Sequence, residues 1–384
     1  MLFIFLYKFN LTMIILVIGT RSEAIKFSTI IRELRARDLP FKILNSCQHG
    51  KEAIEEWMEK LDLPIPDMAL GSSLREVWTG QTKFFAAQTF AYWTLSKIPE
   101  MMKIFRRENP KIVMYQGDTI FVPLTAIAAR LAAKGIILAH RESGMRSHNI
   151  FEPMPEELNR IIADKFTDLH FCPTPTAVEN LKREHAHGEI HYVGDPMVEI
   201  VDYILKKFGK PVEFKNYVTV TIHRYENINN PQKMRNLVNV IAKCPFNVVF
   251  PLNLNTRKKL QAEGLLQRLQ IMKHVYLYDP IPYVEWINIV KNAEAILTDS
   301  GGMQEEACIL KIPCMLMRNI PEWEEVVKVG ATAVTGFNVE KILNCLNDVK
   351  NRGEFYQKVK KVKNPLGDGK ATKRIVDVLE KKLD

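Results

Sequence analysis

The feature that most constrains the fold of this chain is a regular alternation of short, β-branched apolar runs with longer amphipathic segments. Apolar strands that alternate with helices form parallel sheets covered by helices on both faces. The predicted strands are Ile14–Ile18, Phe41–Leu44, Ile112–Tyr115, Ile136–Ala139, Leu169–Cys172, Ile190–Val193, Val218–Ile222, Val248–Phe250, Val275–Leu277, Ala295–Leu297 and Cys314–Leu316. The predicted helices include Glu23–Arg37, Phe121–Ala133, Pro155–Lys165 and Pro231–Ala242.

The alternation is interrupted between residues 195 and 216, where Gly209, Pro211 and Asn216 punctuate an amphipathic stretch. A chain of 384 residues is long enough for two or three domains. The interruption near the middle therefore predicts two doubly wound α/β domains of similar size. In such an architecture we expect the ligand in the cleft between the domains.

The composition limits the classes of partner. The chain carries 53 Lys and Arg residues against 44 Asp and Glu, a net charge of +9, which suits nucleic acid, anionic lipid or a phosphorylated small molecule. No run of five basic residues occurs, which argues against a nucleic-acid-binding arm. The six cysteines are widely spaced and form no Cys-x-x-Cys pair, so we expect free thiols in a reducing, cytoplasmic compartment and no structural metal.

The start of the chain, Met1–Ile18, is almost continuously apolar. It lacks both the basic region and the small-residue cleavage site of a signal peptide. The run from Met13 to Ile18 leads directly into Gly19, which is the pattern of a buried strand and its loop. We therefore expect a first strand and no membrane span, with residues 1–12 as a start-site extension before Met13.

The most informative local segment is Thr298–Ala307, where a predicted strand ends at Asp299 and a helix follows Ser300-Gly301-Gly302. Free N–H groups and the helix dipole at such a position favour a phosphate. Glu306 lies in the same helix and can accept hydrogen bonds from ribose hydroxyls. The alternative is a plain helix cap by Ser300. No G-x-G-x-x-G motif follows the first strand, and no P-loop occurs, which argues against NAD and ATPase functions.

The first strand leads into Gly19-Thr20-Arg21, which places Arg21 at the carboxyl edge of the sheet, where α/β proteins bind ligands. The guanidinium of an arginine suits a phosphate because it is always charged and binds in a bidentate manner. Lys26 comes one turn later, and on its own it is typical of a solvated helix residue.

Three carboxylates follow strands or begin a helix in the first half of the chain. Asp118 and Glu142 follow two strands, and Glu156 comes after Pro155 at a predicted helix start, where an acidic residue also suits the helix dipole. Carboxylates that converge on one site serve as acid and base pairs. In the second half, His223 directly follows a strand, where it can bind a phosphate or transfer a proton.

Seven segments in order resemble the UDP-N-acetylglucosamine 2-epimerases, and the resemblance covers nearly the whole chain from Met13. The segments are Gly-Thr-Arg-x-Glu-Ala-Ile-Lys at 19–26, Gly-Asp-Thr at 117–119, Glu-x-Gly-x-Arg-Ser at 142–147, Pro-Glu-Glu-x-Asn-Arg at 155–160, His-Arg-x-Glu-Asn at 223–227, Thr-Asp-Ser-Gly-Gly-x-Gln-Glu-Glu-Ala at 298–307 and Asn-Pro-Leu-Gly-Asp-Gly at 364–369. Each segment alone is weak evidence, whereas the ordered set is specific.

The resemblance implies the glycosyltransferase-B fold, with two Rossmann-like domains that face a central cleft. It implies residues 1–200 as the first domain, 201–364 as a UDP-binding domain and 365–384 as a terminal helix that returns to the first. The implied reaction is reversible epimerisation of UDP-N-acetylglucosamine at carbon 2 for cell-surface polysaccharide synthesis. UDP is eliminated to leave 2-acetamidoglucal and is then added back with carbon 2 inverted. The family uses no metal or redox cofactor and forms homodimers.

The resemblance also implies roles for residues at matching positions. The implied catalytic residues are Asp118, Glu142, Glu156 and His223. The implied ligands of the diphosphate are Arg21, His223, Ser300, Gly301 and Gly302. Glu306 is implied to bind the ribose, and Lys26 and Arg160 are implied to bind the sugar. The resemblance leaves open which carboxylate performs which step.

The chain departs from the family pattern near these residues. Arg141 and Ser143 replace Val and Ala around Glu142, so an extra cation is expected beside that carboxylate. Trp323 and Glu324 stand where the family commonly has Arg and Pro, and the segment at 48–51 departs from the Gln-His-Arg-Gln pattern of the bacterial activator site.

Two alternative functions stay open at this point. One is a relative that releases UDP and free N-acetylmannosamine, or that epimerises another UDP-2-acetamido sugar. The other is a nucleotide-sugar-binding protein without catalysis. Product analysis separates these alternatives from the epimerase.

Overall fold

The computed structural model describes residues 12–48, 50–71, 83–148 and 155–384. The chain divides into two compact units, of which the first runs to Pro196 and also contains Gly369–Asp384, while the second is Met197–Asp368. Residues 1–11 of the expected start-site extension, and His49 of the segment at 48–51, lie outside the described residues.

The first unit is built on a seven-stranded parallel sheet with the strand order β3-β2-β1-β4-β5-β6-β7. The strands are β1 (Ile14–Ile18), β2 (Phe41–Asn45), β3 (Met68–Ala69), β4 (Ile112–Gln116), β5 (Ile137–Arg141), β6 (Leu169–Cys172) and β7 (Glu189–Tyr192). Every residue of β1 and β4 is buried, because helices cover both faces of the sheet.

The helices of the first unit lie between these strands. They are α1 (Arg21–Ala36), α2 (Lys51–Lys60), α3 (Lys83–Glu108), α4 (Phe121–Ala132), α5 (Glu156–Asp164) and α6 (Pro175–Arg183). The start of α1 is fixed by a capping box, in which Thr20 accepts from the N–H of Glu23 and the Glu23 side chain accepts from the N–H of Thr20.

The second unit contains a six-stranded parallel sheet with the order β10-β9-β8-β11-β12-β13. The strands are β8 (Tyr217–Thr221), β9 (Asn247–Pro251), β10 (Val275–Tyr278), β11 (Ala295–Thr298), β12 (Cys314–Leu316) and β13 (Thr332–Val334). Its helices are α7 (Met197–Phe208), α8 (Tyr225–Ile228), α9 (Pro231–Ala242), α10 (Leu254–Ala262), α11 (Leu265–Gln270), α12 (Tyr283–Lys291), α13 (Gly301–Leu310), α14 (Glu324–Lys328), α15 (Val339–Lys350) and α16 (Glu354–Lys361).

The last helix, α17 (Ala371–Leu383), belongs to the first unit although it ends the chain. It packs against α1, and Arg37 at the end of α1 pairs with Asp377 and Glu380 of α17 at 2.7 and 2.8 Å. Thr372 and Thr29 form a further hydrogen bond between the two helices.

In each sheet the strand order reverses at one place, between β1 and β4 in the first unit and between β8 and β11 in the second. Open parallel sheets bind ligands at such switch points, beyond the carboxyl ends of the strands. The loops that follow these four strands are therefore the places where a ligand site is expected in each unit.

The predicted α/β fold class of two Rossmann-like, doubly wound sheets is confirmed. All eleven predicted strands are present, each within two residues at either end, and two short strands, β3 and β13, were not predicted.

Within the described ranges, no helix has both the length and the apolar character of a membrane span.

Candidate active site

Asp118 lies in the loop that follows β4, at the switch point of the first sheet. Gly117, with φ of 74°, turns the chain directly after the strand. The carboxylate of Asp118 forms an ion pair with Arg160, and the side-chain amide of Asn159 donates to the Asp118 carbonyl at 2.8 Å. Helix α5 therefore fixes both the backbone and the side chain of Asp118.

Glu142 follows β5 and has a left-handed backbone with φ of 68°, which is costly for a residue with a side chain. Its Oε1 atom lies 2.5 Å from Nζ of Lys26 and 2.8 Å from a guanidinium nitrogen of Arg141. Burial by itself would raise the pKa of Glu142, but the charges of Lys26 and Arg141 outweigh burial and hold this pKa well below its usual range. The side chain of Glu142 is therefore ionised at neutral pH.

The loops of Asp118 and Glu142 are adjacent because β4 and β5 are neighbouring parallel strands. Oε2 of Glu142 faces the loop of Asp118, and it lies 3.5 Å from the point where a Cβ atom on Gly117 would sit. Asp118 and Glu142 are thus brought together after neighbouring strands, and each is paired with a cation from a helix, Arg160 of α5 and Lys26 of α1.

A buried network holds these two loops in place. His140 of β5 lies 2.6 Å from Asp164 through Nδ1 and 3.0 Å from the carbonyl of Gly117 through Nε2. Ser143 donates to the same Asp164 oxygen at 2.5 Å. Burial acts to raise the pKa of Asp164, but His140 and Arg146 dominate and lower it well below its usual range. His140 therefore joins the loop after β4 to the strand that carries Glu142.

Two further candidates of the first unit lie at helix starts. Arg21 is the first residue of α1 and is exposed, and Glu156 is the half-buried first residue of α5. Glu156 precedes Arg160 by four residues, so the two side chains share one face of α5. Glu156 lies at a helix start as predicted, whereas α1 begins two residues before the predicted start at Glu23, so Arg21 belongs to the helix.

Glu23 is a residue of this region to which sequence reasoning assigned no role. Its carboxylate is buried and accepts hydrogen bonds from the N–H groups of Gly19 and Thr20 at 2.6 and 3.0 Å and from the Thr119 hydroxyl at 2.9 Å. It therefore joins the loop after β1 to the loop of Asp118. The Thr20-x-x-Glu23 spacing of a capping box was the signal available in the sequence.

Asp299 organises the switch point of the second sheet. Its buried carboxylate accepts from the N–H groups of His223 and Arg224 at 3.1 and 3.0 Å and from the Asn227 side chain at 3.0 Å. Nδ1 of His223 lies 3.4 Å from Asp299, while 43% of the His223 side chain stays exposed. The histidine is thus oriented by Asp299 and accessible to a ligand. Asp299 lies in the motif at 298–307, but the sequence did not predict it as a site residue.

Helix α13 begins directly after Asp299. Ser300 caps it, and the helix starts with Gly301, where a Cβ atom would overlap the carboxylate of Glu322. Glu322 pairs with Arg224 and with Arg318, the latter at 2.6 Å. The capping role of Ser300 is present, and two arginines lie at the same helix N-terminus, where the dipole also favours an anion.

Glu306 is buried in the second turn of α13 and accepts a hydrogen bond from the Tyr283 hydroxyl at 2.5 Å. The side chain of Trp323, one of the departures from the family pattern, is buried, and its carbonyl accepts from Gln304 at 3.1 Å. Glu324 pairs with Lys328 at 2.9 Å. The two substitutions are thus accommodated within the second unit.

These two Rossmann-like sheets, one with two carboxylates and one with a glycine-rich helix start at its switch point, define the class of the glycosyltransferase-B fold. The model of the family described as UDP-N-acetylglucosamine 2-epimerase matches residues 32–380. The chain belongs to this family.

Individual relatives agree with this assignment. The chain is 34% identical to the UDP-N-acetylglucosamine 2-epimerase of Methanococcus maripaludis, over 95% of this chain and 97% of the relative. The crystal structure of the Methanocaldococcus jannaschii UDP-GlcNAc 2-epimerase in complex with UDP-GlcNAc and UDP has a TM-score of 0.81 and 33% identity, with 96% and 99% of the two chains covered. The chain is also 30% identical to the UDP-2,3-diacetamido-2,3-dideoxy-D-glucuronate 2-epimerase of Pseudomonas aeruginosa, over 96% and 99%.

Proposed function

We propose that this chain catalyses the reversible epimerisation of UDP-N-acetylglucosamine at carbon 2, by elimination and re-addition of UDP. The observation that carries the proposal is the pair Asp118 and Glu142, which lie at the ends of neighbouring strands with a cation bound to each. The names of the relatives support the same reaction.

The first step breaks the bond between carbon 2 and its proton. The proton goes to a carboxylate, the electron pair forms the double bond between carbons 1 and 2, and the bond from carbon 1 to the UDP oxygen breaks. The second step reverses this sequence, with the proton returned to the opposite face of carbon 2. Because the proton leaves one face of carbon 2 and returns to the other, an acid or base group is needed on each face, and Asp118, Glu142 and Glu156 supply these groups.

The remaining candidates bind the two ends of the substrate. Lys26 and Arg160, the cations held by the two carboxylates, bind the sugar. In the second unit, the start of α13 stabilises the negative charge of the departing UDP. The proposed diphosphate ligands are Arg21, His223, Ser300, Gly301 and Gly302, and Glu306 accepts from the ribose hydroxyls.

The proposal is tested by incubating the protein with UDP-N-acetylglucosamine in heavy water and following the sugar protons by NMR. UDP-N-acetylmannosamine with deuterium at carbon 2 is the expected product. Free UDP and N-acetylmannosamine would instead identify a hydrolysing enzyme. Bound UDP with unchanged sugar would overturn the proposed substrate, and the UDP-diacetamido-glucuronate of the Pseudomonas relative is the next compound to test.

Two variants connect the product to the site. Asp118→Asn and Glu142→Gln keep the size of the side chain and remove the proton-transfer group, so we expect each to lower kcat by about a hundredfold or more. Glu179→Gln on α6 is the control, because this exposed glutamate forms an ion pair with Arg183, at 3.3 Å, and has no predicted role in the site. Unchanged exchange of the carbon-2 proton in both site variants would contradict the assignment.

The proposal extends to assembly and location. We infer a homodimer, which the family resemblance supports. We also infer a cytoplasmic location, which the thiols support, since all six cysteines are free. Light scattering on the purified protein tests the dimer, and fractionation of the source cells tests the location.

A further inference from the structure

Arg141 is a buried cation beside the candidate active site. It ends β5, and only 1% of it is exposed. One guanidinium nitrogen donates to Gln116 at 2.9 Å and to Glu142 at 2.8 Å, and the other donates to Asp195 at 2.7 Å. A buried arginine keeps one geometry when it is paired in this way, because any other arrangement leaves a charge without a partner. Arg141 is therefore a fixed point in the first unit.

Arg141 and Lys26 contact the same oxygen atom of Glu142. Both the guanidinium nitrogen and Nζ of Lys26 lie within hydrogen-bond distance of Oε1, at 2.8 and 2.5 Å. Among the described residues, none donates a hydrogen bond to Oε2, which faces Gly117 in the loop of Asp118. The two carboxylate oxygens of Glu142 therefore differ, with one bound by two cations and the other directed toward Gly117.

The two cations differ in how firmly they are held. Arg141 is anchored by Gln116 and by Asp195, whose side chain is fully buried. Lys26 has a flexible stem, and 17% of its side chain is exposed. When Lys26 turns toward a sugar, as in the proposed function, the contact of Arg141 with Oε1 remains.

We propose that Arg141 is a positioning residue, which holds Oε1 of Glu142 so that proton transfer takes place at Oε2. The inference rests on the proposed function. The proton that leaves the sugar is bound by Oε2, and the electron pair of the broken bond stays with the sugar. Arg141 itself touches neither the proton nor the substrate.

The charge state of Glu142 follows from all the groups that face it. Lys26 approaches from α1, Arg141 from β5 and Arg160 from α5, while the anions nearby, Asp118 and Asp195, are each paired with an arginine. Removing Arg141 therefore stabilises the ionised form of Glu142 less, which raises the pKa of Glu142. It also allows the carboxylate to rotate.

The test uses the full chain and a double variant. Arg141→Met with Asp195→Asn removes both partners of the buried pair, so that no lone charge is left in the interior. Arg141→Lys is the conservative variant and keeps the buried charge. The matched control is Arg130→Met with Asp168→Asn, which removes another arginine–aspartate pair of the first unit, at 2.6 Å, that has no contact with Glu142.

The first readout needs no turnover. Carbon-13 NMR follows the Glu142 carboxyl in protein labelled at glutamate, and the signal is identified by its absence in Glu142→Gln. In the double variant we expect the titration midpoint of Glu142 to move to higher pH by about one unit or more, with no change in the control. An unchanged midpoint would overturn the proposal.

The second readout separates positioning from binding. We expect the double variant to lower kcat by about tenfold or more with KM unchanged, and Arg141→Lys to restore part of kcat. A higher KM with unchanged kcat would show that Arg141 acts on substrate binding and would overturn the proposal. If the wild-type protein turned over no substrate, the proposed function would fail, while the NMR midpoint would still report whether Arg141 holds Glu142.

Discussion

Glu23 is the residue beside the first strand whose ionisation is most strongly coupled to folding. Burial raises the pKa of Glu23 from 4.5 to about 7, although the hydrogen bonds from Gly19, Thr119 and Thr20 act in the opposite direction. An acid with a higher pKa in the folded state binds its proton more tightly when folded. Its contribution to stability is full below pH 4.5 and is lost as the pH rises through about 7.

Glu23→Gln should remove this pH dependence, because an amide does not ionise and can still accept from the two backbone N–H groups. The free energy of unfolding of the wild type should fall relative to that of the variant between pH 5 and pH 8, by on the order of 3 kcal/mol. Urea unfolding at several pH values measures the difference. Glu59→Gln, at an exposed glutamate of α2, should follow the wild type. If the free energy of unfolding changed with pH in the same way in Glu23→Gln and in the wild type, ionisation of Glu23 would not be the cause.

Lys26 should behave differently from Arg141. Lys26→Met keeps the length of the side chain but removes a charge that contacts Glu142 and, in the proposed function, the sugar. We expect kcat/KM to fall by about a hundredfold, with a higher KM as well as a lower kcat, since a hydrogen bond between charged groups is lost. Steady-state kinetics test this result. The control is Lys42→Met, because Lys42 pairs with Glu108 at 2.5 Å on β2, away from both carboxylates. A KM equal to that of the wild type would place Lys26 outside the sugar site.

Part of the site could be predicted from single residues. Asp118 and Glu142 each follow a predicted strand, and parallel strands bring their carboxyl ends to one edge, so their convergence followed from the sequence. The partner of Arg141 could not be found in this way. Asp195 lies far along the chain, and only the packing of β5 and the loop after β7 brings the two side chains together.

At the scale of elements, the start of α13 depends on the absence of a side chain at Gly301. A Cβ atom there would overlap the Glu322 carboxylate, which Arg224 and Arg318 hold in place. At Gly302 the nearest atom to a new Cβ would be the Ser300 hydroxyl, at 3.9 Å, which is ordinary contact. Two neighbouring glycines of one helix turn thus differ sharply in the space around them.

Gly301→Ala should therefore displace Glu322 and its two arginines, destabilise the protein by about 1–3 kcal/mol and weaken UDP binding. Gly302→Ala should leave the fold intact and stabilise α13 by up to about 1 kcal/mol, because alanine favours a helix. Thermal unfolding and calorimetric titration with UDP measure both effects. Equal effects of the two substitutions would show that the contact with Glu322 is unimportant.

The elements themselves were predicted where their signal is strong. Runs such as Ile14–Ile18 combine β-branched residues with complete burial, and Pro231 begins α9 at the predicted position. Strand β3 was missed because it is only two residues long, and β13 because its Thr-Ala-Val sequence is less apolar than the Cys-Met-Leu of the equally short β12. Their pairing is set by the neighbouring strand, so their own sequence carries little signal.

At the scale of the whole molecule, the chain crosses between the two units twice, after Pro196 and after Asp368. The second unit is continuous in sequence, whereas the first is completed only by α17. Thr29 of α1 and Arg37, which directly follows α1, contact α17, and Leu379 of α17 is fully buried. The stability of the first unit therefore depends on the last residues of the chain.

Leu379→Ala should destabilise the first unit alone, by about 2–5 kcal/mol, because it leaves a cavity in a fully packed site. Hydrogen exchange measured by mass spectrometry should show faster exchange in β1 and α1, more than 300 residues away in sequence, and no change in β8 or β11. Leu346→Ala, at an equally buried leucine of α15, is the matched variant and should have the reverse pattern. Faster exchange in both units of either variant would mean that the units unfold together, and α17 would then contribute to the stability of the whole chain.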